Sequence, residues 1–249
     1  AGQLVVIHLE DPLIDIDHPE PGKADIPLQL TRPFRLTPDQ VDTFGKAAKN
    51  ISWIVRIAEI VDKKNIRLAK PARFDQLLRY KPQIFTFEGV QGVGIENLRI
   101  ESSWPGNDRH HKPYEDEDGT VIRTAKEQDY LWNGLWISHA ADGWVRNVTF
   151  KNLTQGIIIS HSTDCTMTDL RFEGVDGHAG VTIGRSNDTL VSRADFFARL
   201  VHPVSLTMMA SGNVIANSAT HYDGRNDTTA TDAVIDLHGL FPFENLFDN

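Results

Sequence analysis

The 249 residues predict an all-β domain in which short strands stack layer upon layer in parallel. A motif returns along the chain: Gly134-Leu135-Trp136-Ile137-Ser138-His139, then Gly156-Ile157-Ile158-Ile159-Ser160-His161, then Gly180-Val181-Thr182-Ile183-Gly184-Arg185. Each copy is followed by a turn holding an aspartate (Asp142, Asp164, Asp188) and by a second apolar run at 144–150, 166–172 and 190–196. A polar residue interrupts each second run, at Asn147, Asp169 and Arg193, and the interruption continues at Asn217 and Asn245 in steps of 22, 24, 24 and 28 residues. Asn97 in an earlier copy precedes Asn147 by 50 residues, one step plus an insertion. Units this short, rich in Val, Ile, Thr and Phe and without helical periodicity, cannot bury an apolar face alone. Stacked on equivalent units they can, because each strand pairs with its counterparts above and below.

The elements follow in order. Gln3 to Leu9 alternates as a strand; Thr37-Pro38-Asp39-Gln40 is a helix start with Thr as N-cap and Gln placed to close a capping box, giving a short helix through about Lys49. Trp53 to Ile60 alternates as a strand and pairs with Asn65 to Leu68. Residues 1–80 are expected as irregular early layers or an N-terminal cap of the same domain, since no linker separates them from the stack over 81–249 with its 101–131 loop insertion. Inward columns are expected at Leu135/Ile137, Ile157/Ile159, Val181/Ile183 and Val204/Leu206, with Trp136/Ser138, Ile158/Ser160, Thr182/Gly184 and Ser205/Thr207 facing outward. Asn at an internal corner tolerates the left-handed conformation and bonds to its neighbours in the stack, so Asp169 and Arg193 are expected to weaken the ladder.

Composition narrows the function. The net charge of −9 excludes an extended nucleic-acid surface. No apolar run approaches ~18 residues, so no membrane partner is expected. The single Cys165 excludes an intramolecular disulfide, and no Cys/His set has zinc-finger spacing. The chain begins and ends in apolar runs, as a processed product or a piece of a longer protein does. Exposed terminal layers call for covering by further chain segments or by a second copy.

The spacing and the corner asparagines Asn97, Asn147, Asn217 and Asn245 resemble the single-stranded right-handed parallel β-helix of the pectate-lyase superfamily, over residues 81–249. That resemblance implies a right-handed parallel β-helix with a short N-terminal helix or irregular cap. It also implies a secreted, periplasmic or cell-surface carbohydrate-active protein whose partner is a polysaccharide lying along the outward face. Lyases, hydrolases and non-catalytic spikes share this fold, so the site has to choose among them.

Eight of the ten histidines lie from residue 110 onward. The loops 101–131, 173–179, 198–203 and 220–231 carry Arg109, His110, His111, His178, Arg199, His202, His221 and Arg225, while His139, His161 and Arg185 recur at one position and stack about 4.8 Å apart. In the last copy, alternation buries Ala233, Ile235 and Leu237 and turns Asp236 and His238 to the groove. β-Elimination on a uronate needs a cation, a base and an acid, and a histidine- and arginine-rich cleft provides them. His178, His202, His238 and Arg185 are the catalytic candidates; Arg109, His110, His111, His139, His161, Trp136, Arg225 and Asp236 are the substrate-binding candidates. Polar turn positions inherited with the repeat are the competing account of His139, His161 and Arg185. Trp104, Trp132 and Trp136 offer a sugar-stacking platform, with core packing as the alternative. No cofactor is required: the run Glu115-Asp116-Glu117-Asp118 reads as solvated loop, because Ca²⁺ takes about six to eight oxygens from spaced ligands. Hydrolysis needs two carboxylates, and Asp236 has no convincing partner, Asp232 and Asp223 being unsupported.

Overall fold

Strand-forming runs dominate the chain, and the computed structural model is nearly all β with parallel sheets. It describes residues 1–10, 50–74, 76, 78–106, 111–221, 235–238 and 242–248. The helix expected from Thr37, and Arg109, His110 and Arg225, lie outside the described residues.

Strands β1 (Leu4–Glu10), β2 (Asn50–Ile60), β3 (Ile66–Leu68) and β4 (Gln83–Thr86) form an antiparallel sheet in the order β3-β2-β1-β4. The pairing of β2 with β3 follows the expected alternation. Among the described residues this sheet is regular, takes in β4 beyond residue 80, and docks against the turns of the stack. Its two apolar faces explain the position, since both need cover. Val5, Ile7, Trp53, Val55 and Ile57 pack together, while Leu4 and Ile54 meet Phe87 and Ala141. The docking is polar as well: Ile54 N–H donates to Asn187 Oδ1 (3.1 Å), and Asn187 Nδ2 donates back to Ile54 O (2.9 Å). Arg56 pairs with Asp142, Lys70 with Asp164 (2.7 Å) and Asp188 (3.1 Å), and Arg73 with Asp188. Thus the turn aspartates of three successive layers, all in the left-handed region (φ 53°, 52°, 57°), are met by Arg56 of the sheet and by Lys70 and Arg73 of the segment that follows β3.

The chain then alternates between parallel sheets. After β5 (Val90–Gln91) and β6 (Gly94–Glu101), the insertion holds a hairpin, β7 (Tyr114–Glu115) and β8 (Val121–Arg123), and a helix α1 (Ala125–Tyr130). The insertion is therefore structured rather than a plain loop, its helix closed by a capping box between Thr124 and Glu127. Beyond it run β9 (Asn133–Ser138), β10 (Ala140–Ala141), β11 (Trp144–Lys151), β12 (Gln155–Ser160), β13 (Thr166–Glu173), β14 (Gly177–Gly184), β15 (Leu190–Phe196), β16 (Leu200–Thr207), β17 (Val214–Ala216), β18 (Ala219–Thr220), β19 (Asp236–His238) and β20 (Leu246–Asp248). One parallel sheet has the order β20-β17-β15-β13-β11-β6 with β18 beside β15, and the other β19-β16-β14-β12-β9. Between them, single bridges join Ala141, Thr163, Asn187, Ser211 and Phe243.

Register follows the apolar columns. Leu135, Ile157, Val181 and Val204 pair in sequence, as do Ile137, Ile159, Ile183 and Leu206. From Ile157 onward both columns are buried; a one-residue slip would turn every one of them outward. Across the core Phe150, Phe172 and Phe196 stack at 5.1 and 4.8 Å. Their rings explain the glycines that open the returning motif: a Cβ on Gly156 would lie 2.3 Å from Phe172 Cε1, and one on Gly180 2.4 Å from Phe196 Cε1.

The polar corner differs from expectation in three ways. Asn97, Asn147, Asp169, Arg193 and Asn217 do share one position, at φ 49–58°, but it faces solvent rather than the interior. Asn147 Nδ2 donates to Asn97 Oδ1 (2.8 Å), and Arg193 grips Asp169 through Nε and Nη2 (2.7 and 2.8 Å), so an ion pair replaces the amide ladder there instead of weakening it. Asn245 is not in this column: Val214 pairs with Leu246, which aligns Asn245 with Asn213, whose N–H donates to Asn245 Oδ1 (3.0 Å). The intervals 173–179 and 198–203 are not long loops either, since β14 begins at Gly177 and β16 at Leu200. Ile235 and Leu237 are exposed, not buried, because β19 is the edge of its sheet.

Forcing a methyl group into the glycine–phenylalanine contact overpacks the core. Gly180→Ala is expected to lower unfolding free energy by about 2 kcal/mol in urea titration. Gly184→Ala, whose Cβ meets nothing closer than Thr207 Cγ2 at 3.2 Å, is expected to cost far less.

Candidate functional site

With the antiparallel sheet docked on the bridge side, the outward face of the β9–β19 sheet is left open. It forms a groove of about 760 Å³ crossing all five strands, walled by α1 and His111. Its floor is the in-register column Trp136, Ile158, Thr182, Ser205 and Asp236. Thr207 pairs with His238, so Asp236 and His238 share the face of Ser205 and Thr207.

His178 and His202 belong to strands β14 and β16, not to the preceding loops. Simple alternation puts Ala179 and His202 on the inward side, two positions before Val181 and Val204. Alternation breaks at the start of these strands: Thr154 O accepts from the N–H groups of both His178 (2.7 Å) and Ala179 (2.9 Å), and Pro203 has no N–H to give. Both histidines line the groove.

A polar chain runs along one wall. Asp129 on α1, its side chain 3 % exposed, accepts from the His111 N–H (3.2 Å) and lies 2.6 Å from His111 Nδ1 and 3.3 Å from His178 Nδ1. The His178 ring meets those of His111 (5.4 Å), Tyr130 (5.9 Å) and, edge on, His202 (5.5 Å). His202 Nε2 is 3.8 Å and His238 Nδ1 3.4 Å from Asp236 Oδ2, to which Ser205 Oγ donates (3.0 Å). Burial pushes the Asp129 carboxyl up, but hydrogen bonds from His178 and His111, with the charge of His178, outweigh it and hold the group at about 2.

The opposite rim is a second column. His139, His161, Arg185 and Met208 each take φ of 49–53° at the end of successive strands. The His139 and His161 rings stack at 4.9 Å and 3°. Burial, then the charges of His139 and Arg185, lower the pKa of His161. Trp136, 71 % exposed, stands beside them and donates from Nε1 to Ser160 Oγ (3.3 Å).

The groove thus gathers His178, His202, His238, Arg185, His111, His161, Trp136 and Asp236, with His139 stacked at its rim. Other candidates go elsewhere. Trp104 is buried, tilted against Trp132 at 4.7 Å under the Arg123 guanidinium, with its Nε1 donating to Asp176 O, so these two indoles pack the insertion onto the stack. His221 lies on the other sheet, stacked on Phe197 and 2.7 Å from Asp195, and Arg199 pairs with Asp176. Asp129, Lys126 and Tyr130 were missed by sequence reasoning, because the insertion lies outside the returning motif. The spacing Thr124-x-x-Glu127 was the available signal for the helix that carries them.

The chain matches no known family model and none of the curated proteins searched.

Replacing Asp129 with asparagine removes the buried charge at the centre of the His111–Asp129–His178 contact and turns an NH2 donor toward one of the two imidazoles. Asp129→Asn is expected to cost about 3 kcal/mol at neutral pH in urea titration. The sign of the pH dependence follows from the lowered pKa: the wild-type contribution is fully present above 3.8 and lost as pH falls toward about 2. That part of the acid limb should be missing in the variant.

Proposed function

We propose that this chain is a right-handed parallel β-helix of the pectate-lyase kind, secreted or at the cell surface, that cleaves a uronate-containing polysaccharide by β-elimination in the groove. The carrying observation is the composition of the groove lining. Among its described residues it offers Lys126, Arg185 and five histidines but only one carboxylate, Asp236. Hydrolysis by a pair of carboxyl groups needs an accessible acid with a raised pKa. Asp129, the carboxyl against His178, is buried and held ionised by histidines, the opposite requirement.

Elimination asks for what the lining provides. A cation neutralises the substrate carboxylate and so acidifies the proton on the adjacent carbon; Lys126, on the α1 wall, is the lining cation on the histidine side, whereas Arg185 ends its strand on the opposite rim. His202, steadied between His178 and Asp236, takes that proton; the electron pair forms the new double bond, and the glycosidic C–O bond breaks. His238, across Asp236 and more exposed, donates the proton that the leaving oxygen needs. His178, turned to Asp129, holds the His202 ring rather than reacting. Trp136 offers an apolar face to a sugar ring. The reaction balances without oxidant, reductant or cofactor.

The test is incubation with a panel of uronate polymers while following the ultraviolet absorbance of the unsaturated product. A rise is expected, slowed about 10²-fold or more by His202→Ala. Release of reducing ends without that absorbance would favour a hydrolase, and retained glycan binding without either product would favour a non-catalytic module.

A further inference from the structure

The rim column of His139, His161 and Arg185 has no part in proton transfer, and its chemistry is unusual for a turn position. The opposite corner of the stack meets the same left-handed geometry with Asn97, Asn147 and Asn217, the inexpensive choice for φ near 50°, and where it carries Arg193 it sets Asp169 against it. Arg185 gains nothing from that geometry, and among the described residues it has no ion-pair partner. The His139 ring Nδ1 meets the neighbouring Ser138 hydroxyl (2.8 Å). Other exposed arginines of the stack are matched with acids, as in Arg193 with Asp169, Arg146 with Glu96 and Arg171 with Glu173. Here two imidazoles stacked at 4.9 Å lead into a guanidinium with no carboxylate opposite.

We infer that His139, His161 and Arg185 form an anion ladder that binds the negatively charged groups of consecutive sugars in a polyuronate. The inference rests on the groove being the polysaccharide site. The strands stack about 4.8 Å apart along the groove, so a polymer crossing the five strands meets one ladder position per layer. That interval is comparable to the advance per sugar of an extended pyranose chain. A polymer charged on every residue places a carboxylate at each position, whereas a polymer charged on alternate residues leaves positions empty. The groups bearing on His161 are His139 from the end of β9 and Arg185 from the end of β14, both cationic when charged, together with its own burial. A bound anion opposes that lowering at His161 and favours its charged form, so binding tightens as pH falls.

Oligogalacturonate, charged on every sugar, and its methyl ester, with the same backbone and no charge, are the probes, with a sulfated galactan as the alternative anion source. Calorimetry on the wild-type protein is expected to show oligogalacturonate binding about tenfold tighter at about pH 5.5 than at about pH 8, and the ester weaker at both. His139→Asn with His161→Asn keeps the left-handed turn, because Asn is at home there, and is expected to remove the pH dependence and about tenfold of affinity at the lower pH. Equal binding of acid and ester, an unchanged pH dependence in the double variant, or binding of the sulfated galactan alone would overturn the inference. Ladder-dependent binding without unsaturated product would leave the inference standing and remove the lyase; product formation with KM unaltered in the double variant would do the reverse.

Discussion

Everything here depends on parallel pairing between strands one circuit of the chain apart. Each strand is too short to be stable alone, and its partners lie 22 to 24 residues away along most of the stack, as Trp144, Thr166, Leu190 and Val214 show. What fixes their register is the column of inward Ile, Val and Leu on one side and the phenylalanine stack on the other, since a slip by one residue would exchange core for solvent. Glycines at the strand starts admit the phenyl rings, and left-handed corner residues turn the chain between the sheets. The same register that closes the core therefore decides which side chains face out together.

That coupling explains how residues distant in sequence make one groove. Asp236 stands beside Ser205, and His238 beside Thr207, because β19 continues the sheet in register. The antiparallel sheet and the segment after β3 contribute by occupation: their basic residues take up the aspartates of the bridge side, as Lys70 does with Asp164 and Asp188 despite the desolvation that opposes its charge. An acidic protein thereby neutralises one face and leaves Arg185 and Lys126 unpaired, among the described residues, on another. The insertion closes the groove by carrying Asp129 onto His178, at the cost of burying a carboxylate that two imidazoles must hold.

Much of this was legible in the sequence, and the limits have physical causes. The columns at 135/137, 157/159, 181/183 and 204/206 could be read because period-two burial and the returning motif agree. The Asn217 to Asn245 step could not, because two asparagines four residues apart, Asn213 and Asn217, serve different corners, and appearance alone selected the wrong one. Arg193 over Asp169 looked like a broken ladder, yet an ion pair spans one strand spacing as well as an amide does. His178 and His202 were found as residues and misassigned as loop, since the break in alternation at Thr154 and Pro203 leaves no periodic trace. Asp129 sits on the helix of the insertion, where no motif copy set its register.

The central claim is that the open face of the β9–β19 sheet, and no other surface, receives an anionic polysaccharide across the strands. A crystal structure of the His202→Ala variant soaked with oligogalacturonate tests it most directly. The account predicts sugar rings over Trp136, Ile158, Thr182 and Ser205, with a carboxylate against Arg185. Sugar bound on the outer face of the β6–β20 sheet, or in the groove with its carboxylates turned away from Arg185, would contradict it.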